Sequence, residues 1–177
     1  NKLHDALKNL YKNKKKEKLF FVEKSLENFF YIDLLLKIYP NAKFINPYRN
    51  LVDNIFAIYR QFLSNISWTH SIKNILLYIE NYLTVMDYFK KKHPNKIYSF
   101  SLENFTNNPK KFSIELFEFC NLEWSEKCLE FHKRNDLFTN TASHNQIRAS
   151  VQKYDKSKYD VYKQILKDYK NKYDWIN

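Results

Sequence analysis

Residues 42–63 read AKFINPYRNLVDNIFAIYRQFL and contain the pattern from which the fold class follows. Its first part, AKFIN at 42–46, is a short apolar run that predicts a buried strand, and Pro47 is expected to end that strand. Asn50 is a favourable N-cap for LVDNIFAIYRQFL at 51–63, whose apolar spacing predicts a helix. A strand that passes into a helix across a short turn is the building unit of α/β proteins.

The same alternation continues on both sides of this stretch. Short apolar runs predict two more strands, LFFV at 19–22 and KIYSFSL at 96–102. Helical patterns cover residues 2–18, 27–39, 71–92, 109–120, 125–132 and 156–173, the last of these with a largely solvated surface. Short strands separated by helices predict an α/β fold with a buried parallel sheet. The length suits a single domain over residues 1–177.

The composition is basic and contains no glycine. The chain has 30 Lys and Arg against 19 Asp and Glu, which gives a net charge of +11. This charge suits an anionic partner, although the codon bias of an AT-rich genome would also produce it. At roughly 7% glycine, about twelve would be expected, and their absence excludes a Walker loop, a dinucleotide fingerprint or an EF-hand within this stretch. A phosphate site must therefore use side chains and helix N-termini.

Several other kinds of site are not indicated by the sequence. Cys120 and Cys128 have no CxxC spacing and the five His show no paired ligand spacing, so no metal is expected. There is no apolar run long enough to span a membrane, and no signal peptide is visible, so we expect a cytoplasmic protein. A basic nucleic-acid-binding domain would suit the charge, but no RNP, helix-turn-helix or zinc signature is present and no nucleic-acid partner is expected.

Four strings, in order, resemble those of sulfotransferases that use 3′-phosphoadenosine 5′-phosphosulfate (PAPS). YPNAKFINPYRNLVDNIFAIYRQF at 39–62 resembles the family pattern FPxAKFIxxxRDPxDxxxSxYxQ, and SLENFTNNPKKFSIELFEFCNLEW at 101–124 resembles YEDLxxDPxxxxxxLxxFCGLxW. CLEFHKRNDLFTNTASHNQIR at 128–148 is similar to a string typical of bacterial enzymes akin to the TPR-fused and tyrosylprotein sulfotransferases. FVEKSLEN at 21–28 resembles the upstream VxDKxPxN element.

The resemblance implies a P-loop-NTPase-like three-layer α/β fold with a parallel sheet. In this family a strand, a phosphosulfate loop rich in Gly, Ser and Thr, and a helix come first, and an acidic general base follows in the tyrosylprotein branch. None of these is present in the chain, so we expect an N-terminally truncated domain whose zero glycine count agrees with a start downstream of the loop. The chain alone is then not expected to catalyse.

The resemblance also implies roles for individual residues. Arg49 corresponds to the arginine that contacts the 3′-phosphate of PAPS, and Ala57 stands where the family has a serine that touches the same phosphate. Lys24 corresponds to a lysine that neutralises charge near the transferring sulfuryl group, and Ser143 to a serine that hydrogen-bonds this region. The further positions that the resemblance places at the donor are Arg148 and Lys158.

Each assignment has a structural alternative. Arg49 could instead pair with Asp53, Lys24 could be an exposed lysine without a role, and Ser143 could be an ordinary loop serine. The assignments of Arg148 and Lys158 stay equally open. Glu103, which matches the acidic residue of the YEDL element, fits a site residue and a structural residue equally well.

The sequence therefore predicts transfer of a sulfuryl group from PAPS, without a metal, to a hydroxyl, phenol or amine. The acceptor could be a carbohydrate, a peptide tyrosine, a lipid or a small molecule, since acceptor pockets lie on variable loops. The alternative is a degenerate, non-catalytic binding module. It is motivated by three departures from the family pattern: Leu51 for proline, Ala57 for serine and Leu102 for tyrosine.

Overall fold

A computed structural model describes residues 20, 22–134 and 146–176. The α-helices are α1 (Ile32–Ile38), α2 (Leu51–Gln61), α3 (Ile72–Lys92), α4 (Leu102–Asn107) and α5 (Pro109–Phe119), and the strands are β1 (Phe44–Tyr48) and β2 (Ile97–Ser101). The 3-10 segments are Asn28–Tyr31, Ser67–His70, Glu126–Lys133, Gln146–Arg148 and Asp160–Tyr169. The predicted basic helix at 2–18 lies outside the described residues.

β1 and β2 pair in parallel, which confirms the predicted α/β fold class with a parallel sheet. The register places Phe44 opposite Ile97 and Tyr48 opposite Ser101. Within the described residues the sheet has two strands. β1 continues through Pro47, so the prediction that this proline ends the strand was wrong. Proline lacks an N–H but fits a strand that is paired on one side, because its nitrogen can face away from the partner.

The predicted strand at 19–22 is not found at the two of its residues that the structure describes. Phe20 and Val22 are outside any strand, and their exposed fractions are 63% and 88%. A short apolar run forms a strand only where a neighbouring strand satisfies its backbone N–H and C=O groups. Lys24, which was expected to follow this strand directly, therefore lies in an exposed segment that precedes a 3-10 turn.

The helix predicted over residues 71–92 is found as α3, which buries most of one apolar side and joins two hydrophobic clusters. In the first cluster Ile75, Leu76 and Ile79 of α3 pack with α2. In the second cluster Met86 and Phe89 of α3 pack with the residues that surround the sheet. The buried members of the first cluster are Val52, Ile55, Phe56, Ile75, Leu76, Ile79, Tyr159, Leu166, Tyr173 and Ile176. Those of the second are Phe29, Ile32, Met86, Phe89 and Ile97.

The C-terminal segment contributes more to the core than its sequence indicated. Tyr159, Leu166, Tyr173 and Ile176 are each at most 5% exposed and belong to the first cluster. Lysines and aspartates lie between these four residues in the sequence, so the pattern predicted a helix with a largely solvated surface. The segment from 159 to 176 is therefore packed against α2 and α3 instead of lying free at the surface.

Without glycine, the chain uses asparagine for the left-handed turn that ends α5. Asn121 has φ of 55°, and its N–H donates to the Glu118 carbonyl at 3.0 Å. The N–H of Leu122 donates to the Phe117 carbonyl at 2.9 Å, which completes a Schellman motif. Position 121 is where the family string FCGLxW carries glycine. Asparagine is the residue that best replaces glycine in this conformation.

We expect Ile75→Ala to lower the free energy of unfolding by about 3 kcal/mol, because it opens a cavity at a fully buried position of α3. The matched control is Leu77→Ala, on the opposite face of the same helix, where the side chain is 54% exposed and the expected change is within about 0.5 kcal/mol. Urea unfolding measures both values. Equal effects of the two substitutions would contradict the assignment of the buried face.

Candidate functional site

A cleft of about 640 Å³ lies where β1 ends and α2 begins. Ligand sites of parallel α/β sheets lie at the carboxyl ends of the strands, so this is the expected position for one. One wall comes from the turn after β1 and the first residues of α2, and the opposite wall comes from α3. The lining residues are Asn46, Tyr48, Arg49, Asn50, Leu51, Val52, Tyr82, Leu83, Met86, Asp87, Lys90, Glu103 and Trp175.

Arg49 lines this cleft at the N-terminus of α2. Its Nε and Nη2 groups both donate to the Asn54 side-chain oxygen, each at 3.2 Å, and this contact fixes the plane of the guanidinium group. Within residues 22–134 and 146–176, Arg49 forms no salt bridge. The alternative that Arg49 pairs with Asp53 was therefore wrong, and its positive charge is held in the cleft without a carboxylate partner in the described part of the chain.

The first turn of α2 adds to the positive potential around Arg49. The Asn50 side chain accepts a hydrogen bond from the Asp53 N–H at 3.1 Å, which confirms the predicted N-cap. A helix N-terminus carries a partial positive charge of roughly half an elementary charge. Lys90 also lines the cleft, and its ammonium group lies 6.0 Å from the centre of the Tyr48 ring. Two carboxylates, those of Asp87 and Glu103, also line the cleft, but Asp87 pairs with Lys91 and Glu103 accepts hydrogen bonds from Asn50 and Ser101. Arg49, Lys90 and the helix N-terminus are left to favour an anionic ligand.

Hydrogen bonds to Glu103 connect the turn that contains Arg49 with the end of β2. The Glu103 carboxylate accepts the Asn50 N–H at 2.7 Å and the Ser101 hydroxyl at 2.6 Å. Partial burial raises the pKa of Glu103, but the hydrogen bonds from Ser101 and Asn50 outweigh it, so this pKa lies below its usual value. Of the two roles left open for Glu103, these contacts support the structural one.

Sequence reasoning missed the contact between Asp53 and Tyr154. Asp53 is 2% exposed, and its carboxylate accepts the hydrogen bond of the Tyr154 hydroxyl. The two residues are 101 positions apart. The sequence offered one signal, an acidic residue in the first turn of a predicted helix, but that pattern is common and does not identify a partner.

The other residues assigned by resemblance do not line the cleft. Ala57 is half-buried on α2 and packs against the first cluster. Arg148 donates from Nη1 to the Arg134 carbonyl at 2.6 Å. Lys158 is exposed, with its ammonium group 5.6 Å from the centre of the Tyr159 ring. Their roles, including that of Ala57 at the phosphate, stay predictions.

Lys24 and Ser143 are the two residues predicted to act at the sulfuryl group. Lys24 is exposed and is separate from the Arg49 cleft. Next to it, the Glu23 carboxylate accepts hydrogen bonds from Ser25 at 2.6 Å and from the Asn28 side chain. These bonds, led by the one from Asn28, lower the pKa of Glu23. Ser143 lies outside the described residues.

Two further kinds of feature are absent from the described part of the chain. No helix there is both long enough and apolar enough to cross a membrane. Among the same residues, no group of three or more His, Cys, Asp or Glu side chains could hold a metal ion. Cys120 and Cys128 are not joined by a disulfide.

Comparison with known proteins gives two findings. The model of the sulfotransferase family matches residues 1–126. A protein of Aquifex aeolicus (strain VF5) that carries the name "Uncharacterized protein" is 29% identical over 149 residues, which cover 82% of this chain and 19% of that protein. The chain thus spans about a fifth of the length of this relative.

We expect Glu103→Gln to remove part of the acid sensitivity of the protein. Because the folded pKa of Glu103 is lowered, its stabilising contribution is present above the unfolded value of 4.5 and is lost as the pH falls through the folded value. The free energy of unfolding of the wild type should therefore fall more steeply between about pH 5 and pH 3 than that of the variant. Urea unfolding across this range measures it. Glu123→Gln, at an exposed glutamate, is the control and should follow the wild type.

Proposed function

We propose a function on the basis that the chain belongs to the sulfotransferase family. The cleft at Arg49 binds the 3′-phosphate of PAPS, and the protein transfers a sulfuryl group from this donor. The proposal rests on one observation, the way in which the Arg49 side chain is held in the cleft. It is held by Asn54 at the N-terminus of α2 and, within the described residues, has no salt-bridge partner.

The residues of the cleft fit a nucleotide that carries an additional phosphate. A guanidinium group recognises phosphate oxygens through directed, charge-assisted hydrogen bonds, and the helix N-terminus favours the same anion. A volume of about 640 Å³ lies in the range of small-molecule and cofactor sites. Leu51, Val52, Leu83 and Met86 supply apolar surface for the uncharged part of such a ligand.

In this proposal, a hydroxyl, phenol or amine attacks the sulfur of PAPS in line as the S–O bond to the donor phosphate breaks. 3′,5′-adenosine bisphosphate leaves, and the acceptor gives up its proton to a general base or to water. Arg49 binds and orients the donor, which brings the reacting atoms into line. Lys24 and Ser143 are proposed to stabilise the negative charge that develops as the S–O bond breaks. Arg148 and Lys158 are proposed to bind the donor from the C-terminal part of the chain, and no metal takes part.

The acceptor is proposed only as a class: a carbohydrate, a peptide tyrosine, a lipid or a small molecule. A hollow of about 400 Å³ adjoins the Lys24 segment, and Ser25, Leu26 and Glu27 form one side of it. The other side is formed by residues 65–68. Its position beside Lys24 makes it the place where we expect acceptor contacts.

The second candidate function is a sulfotransferase-like binding module without catalysis. It is favoured by Ala57, which offers no hydroxyl to a phosphate, and by Leu51, which lines the cleft in place of the family's proline. Incubation of the complete protein with radiolabelled PAPS and, in turn, a phenol, an amine and an oligosaccharide distinguishes the two functions. Transfer to any acceptor supports the enzyme, whereas donor binding without transfer to any of them supports the module.

We expect Arg49→Gln to weaken binding of 3′,5′-adenosine bisphosphate roughly ten- to hundredfold, since hydrogen bonds to charged groups contribute about 1.5–3 kcal/mol. Isothermal titration calorimetry with the complete protein measures this. Arg60→Gln is the matched control, because Arg60 is an exposed arginine in the last turn of the same helix. The proposal fails if the wild type does not bind the bisphosphate, or if both variants bind it as the wild type does.

We expect Ala57→Ser to strengthen binding of the same bisphosphate about fivefold, because a serine hydroxyl at this position would add one hydrogen bond worth about 1 kcal/mol. Ala57 follows Asp53 and Asn54 by one helical turn, on the face of α2 that carries both residues. The same calorimetric titration measures the change. Unchanged or weaker binding would show that position 57 does not contact the phosphate in this protein.

A further inference from the structure

Five residues close a ring of hydrogen bonds behind the turn that carries Arg49. The Glu103 carboxylate accepts the Asn50 N–H at 2.7 Å, and the Asn50 side chain accepts the Asp53 N–H at 3.1 Å. The Asp53 carboxylate accepts the Tyr154 hydroxyl. The Tyr154 N–H donates to the Thr106 hydroxyl oxygen at 3.1 Å, and the Thr106 hydroxyl donates to the Glu103 carbonyl at 3.1 Å, which closes the ring.

The ring joins three parts of the chain that are distant in sequence. Asn50 and Asp53 belong to the start of α2, Glu103 and Thr106 belong to α4, and Tyr154 belongs to the segment before the C-terminal 3-10 turn. The next anchor of that segment is Tyr159, which is buried in the first cluster and stacks on Phe56 with ring centres 6.3 Å apart. Segment 154–159 is therefore attached to α2 at both of its ends.

The contact between Tyr154 and Asp53 involves the one buried side chain of the ring. Asp53 is 2% exposed, and a carboxylate buried to this extent is costly unless it accepts hydrogen bonds. Burial and the bond to Asp53 raise the pKa of Tyr154, so the phenol stays protonated and remains a donor at neutral pH. The charges of Arg49 and Glu103 both act on this hydroxyl, which places it within the electrostatic environment of the cleft.

We propose that Tyr154 is a positioning residue for anion binding: through Asp53 and Asn50, its hydroxyl fixes the turn that presents Arg49 to the cleft. The proposal rests on the proposed function, because it takes Arg49 as the phosphate ligand. It adds that the affinity of the cleft depends on docking of segment 154–159, which carries Lys158. Tyr154 acts through Arg49 and does not itself touch the ligand.

The test is the substitution Tyr154→Phe, which removes the hydroxyl and keeps the ring in place. We expect 3′,5′-adenosine bisphosphate to bind about five- to tenfold more weakly to this variant, measured by calorimetry on the complete protein, as expected for loss of one hydrogen bond near a charged group. Tyr162→Phe is the matched control. Tyr162 lies in the same C-terminal region and contacts Phe56, at 5.7 Å between ring centres, but is not part of the ring.

A double-mutant cycle with Arg49→Gln separates positioning from general destabilisation. If Tyr154 acts through Arg49, Tyr154→Phe changes the affinity less than twofold once Arg49 has been replaced. An equal loss in both backgrounds overturns the proposal, because it would show an effect that does not pass through Arg49. A Tyr154→Phe variant that binds as tightly as Tyr162→Phe overturns it as well.

Thr106→Val keeps the test decisive if Tyr154→Phe does not fold, because it opens the ring at another link and leaves the buried Asp53 paired. We expect Thr106→Val to weaken binding of the bisphosphate, but less than Tyr154→Phe does, and only in proteins that retain Arg49. If Thr106→Val causes no loss of affinity, the proposal is overturned. Failure of the proposed function looks different. In that case the wild type itself does not bind the bisphosphate, whereas failure of the present inference leaves wild-type binding intact.

Discussion

The hydrogen bond between the Asn50 N–H and the Glu103 carboxylate connects the ends of the two parallel strands. Asn50 follows β1 and Glu103 follows β2, and each residue stands at the start of a helix. Together with the pairing of β1 and β2, this contact holds the two strand-to-helix turns side by side on that edge of the sheet. Arg49 precedes Asn50 directly, so the position of the Arg49 backbone depends on a carboxylate from the helix that follows the neighbouring strand.

The site shows how a cleft with positive groups is built at a sheet edge without glycine. Glycine-rich loops bring backbone N–H groups close to a phosphate because they have no Cβ atoms. Here the corresponding positive potential comes from the Arg49 side chain, which Asn54 holds, and from the N-terminus of α2, which Asn50 caps. Asparagine also replaces glycine at the left-handed turn after α5, where Asn121 has φ of 55°.

Local patterns predicted the parts of the structure that depend on neighbours in sequence. The apolar stripe of α3 and the N-cap at Asn50 follow from the helical period and from the chemistry of one side chain. Arg49 could be placed at the cleft because an arginine after a strand and before a helix has a defined position in an α/β fold. The family resemblance, carried by four strings in order, supplied the identity of the fold.

Contacts between distant segments could not be predicted in the same way. Nothing near Tyr154 in the sequence indicates that its hydroxyl meets Asp53, because the pairing depends on how the C-terminal segment crosses α2. The strand predicted at 19–22 failed for the same reason at Phe20 and Val22, since strand formation depends on a partner and not on the run itself. Lys24, two residues beyond this run, therefore lies in an exposed segment and not at the end of a strand.

α3 contributes buried side chains to both hydrophobic clusters, the first through Ile75, Leu76 and Ile79 and the second through Met86 and Phe89. If either cluster lost its packing, α3 would have to move, and the other cluster would then lose its contacts with α3 as well. The described part of the chain should behave as one cooperative unit in unfolding, with calorimetric and van't Hoff enthalpies that agree. A helix shared in this way makes the Arg49 cleft and the C-terminal segment subject to the same melting transition, although they are far apart in sequence.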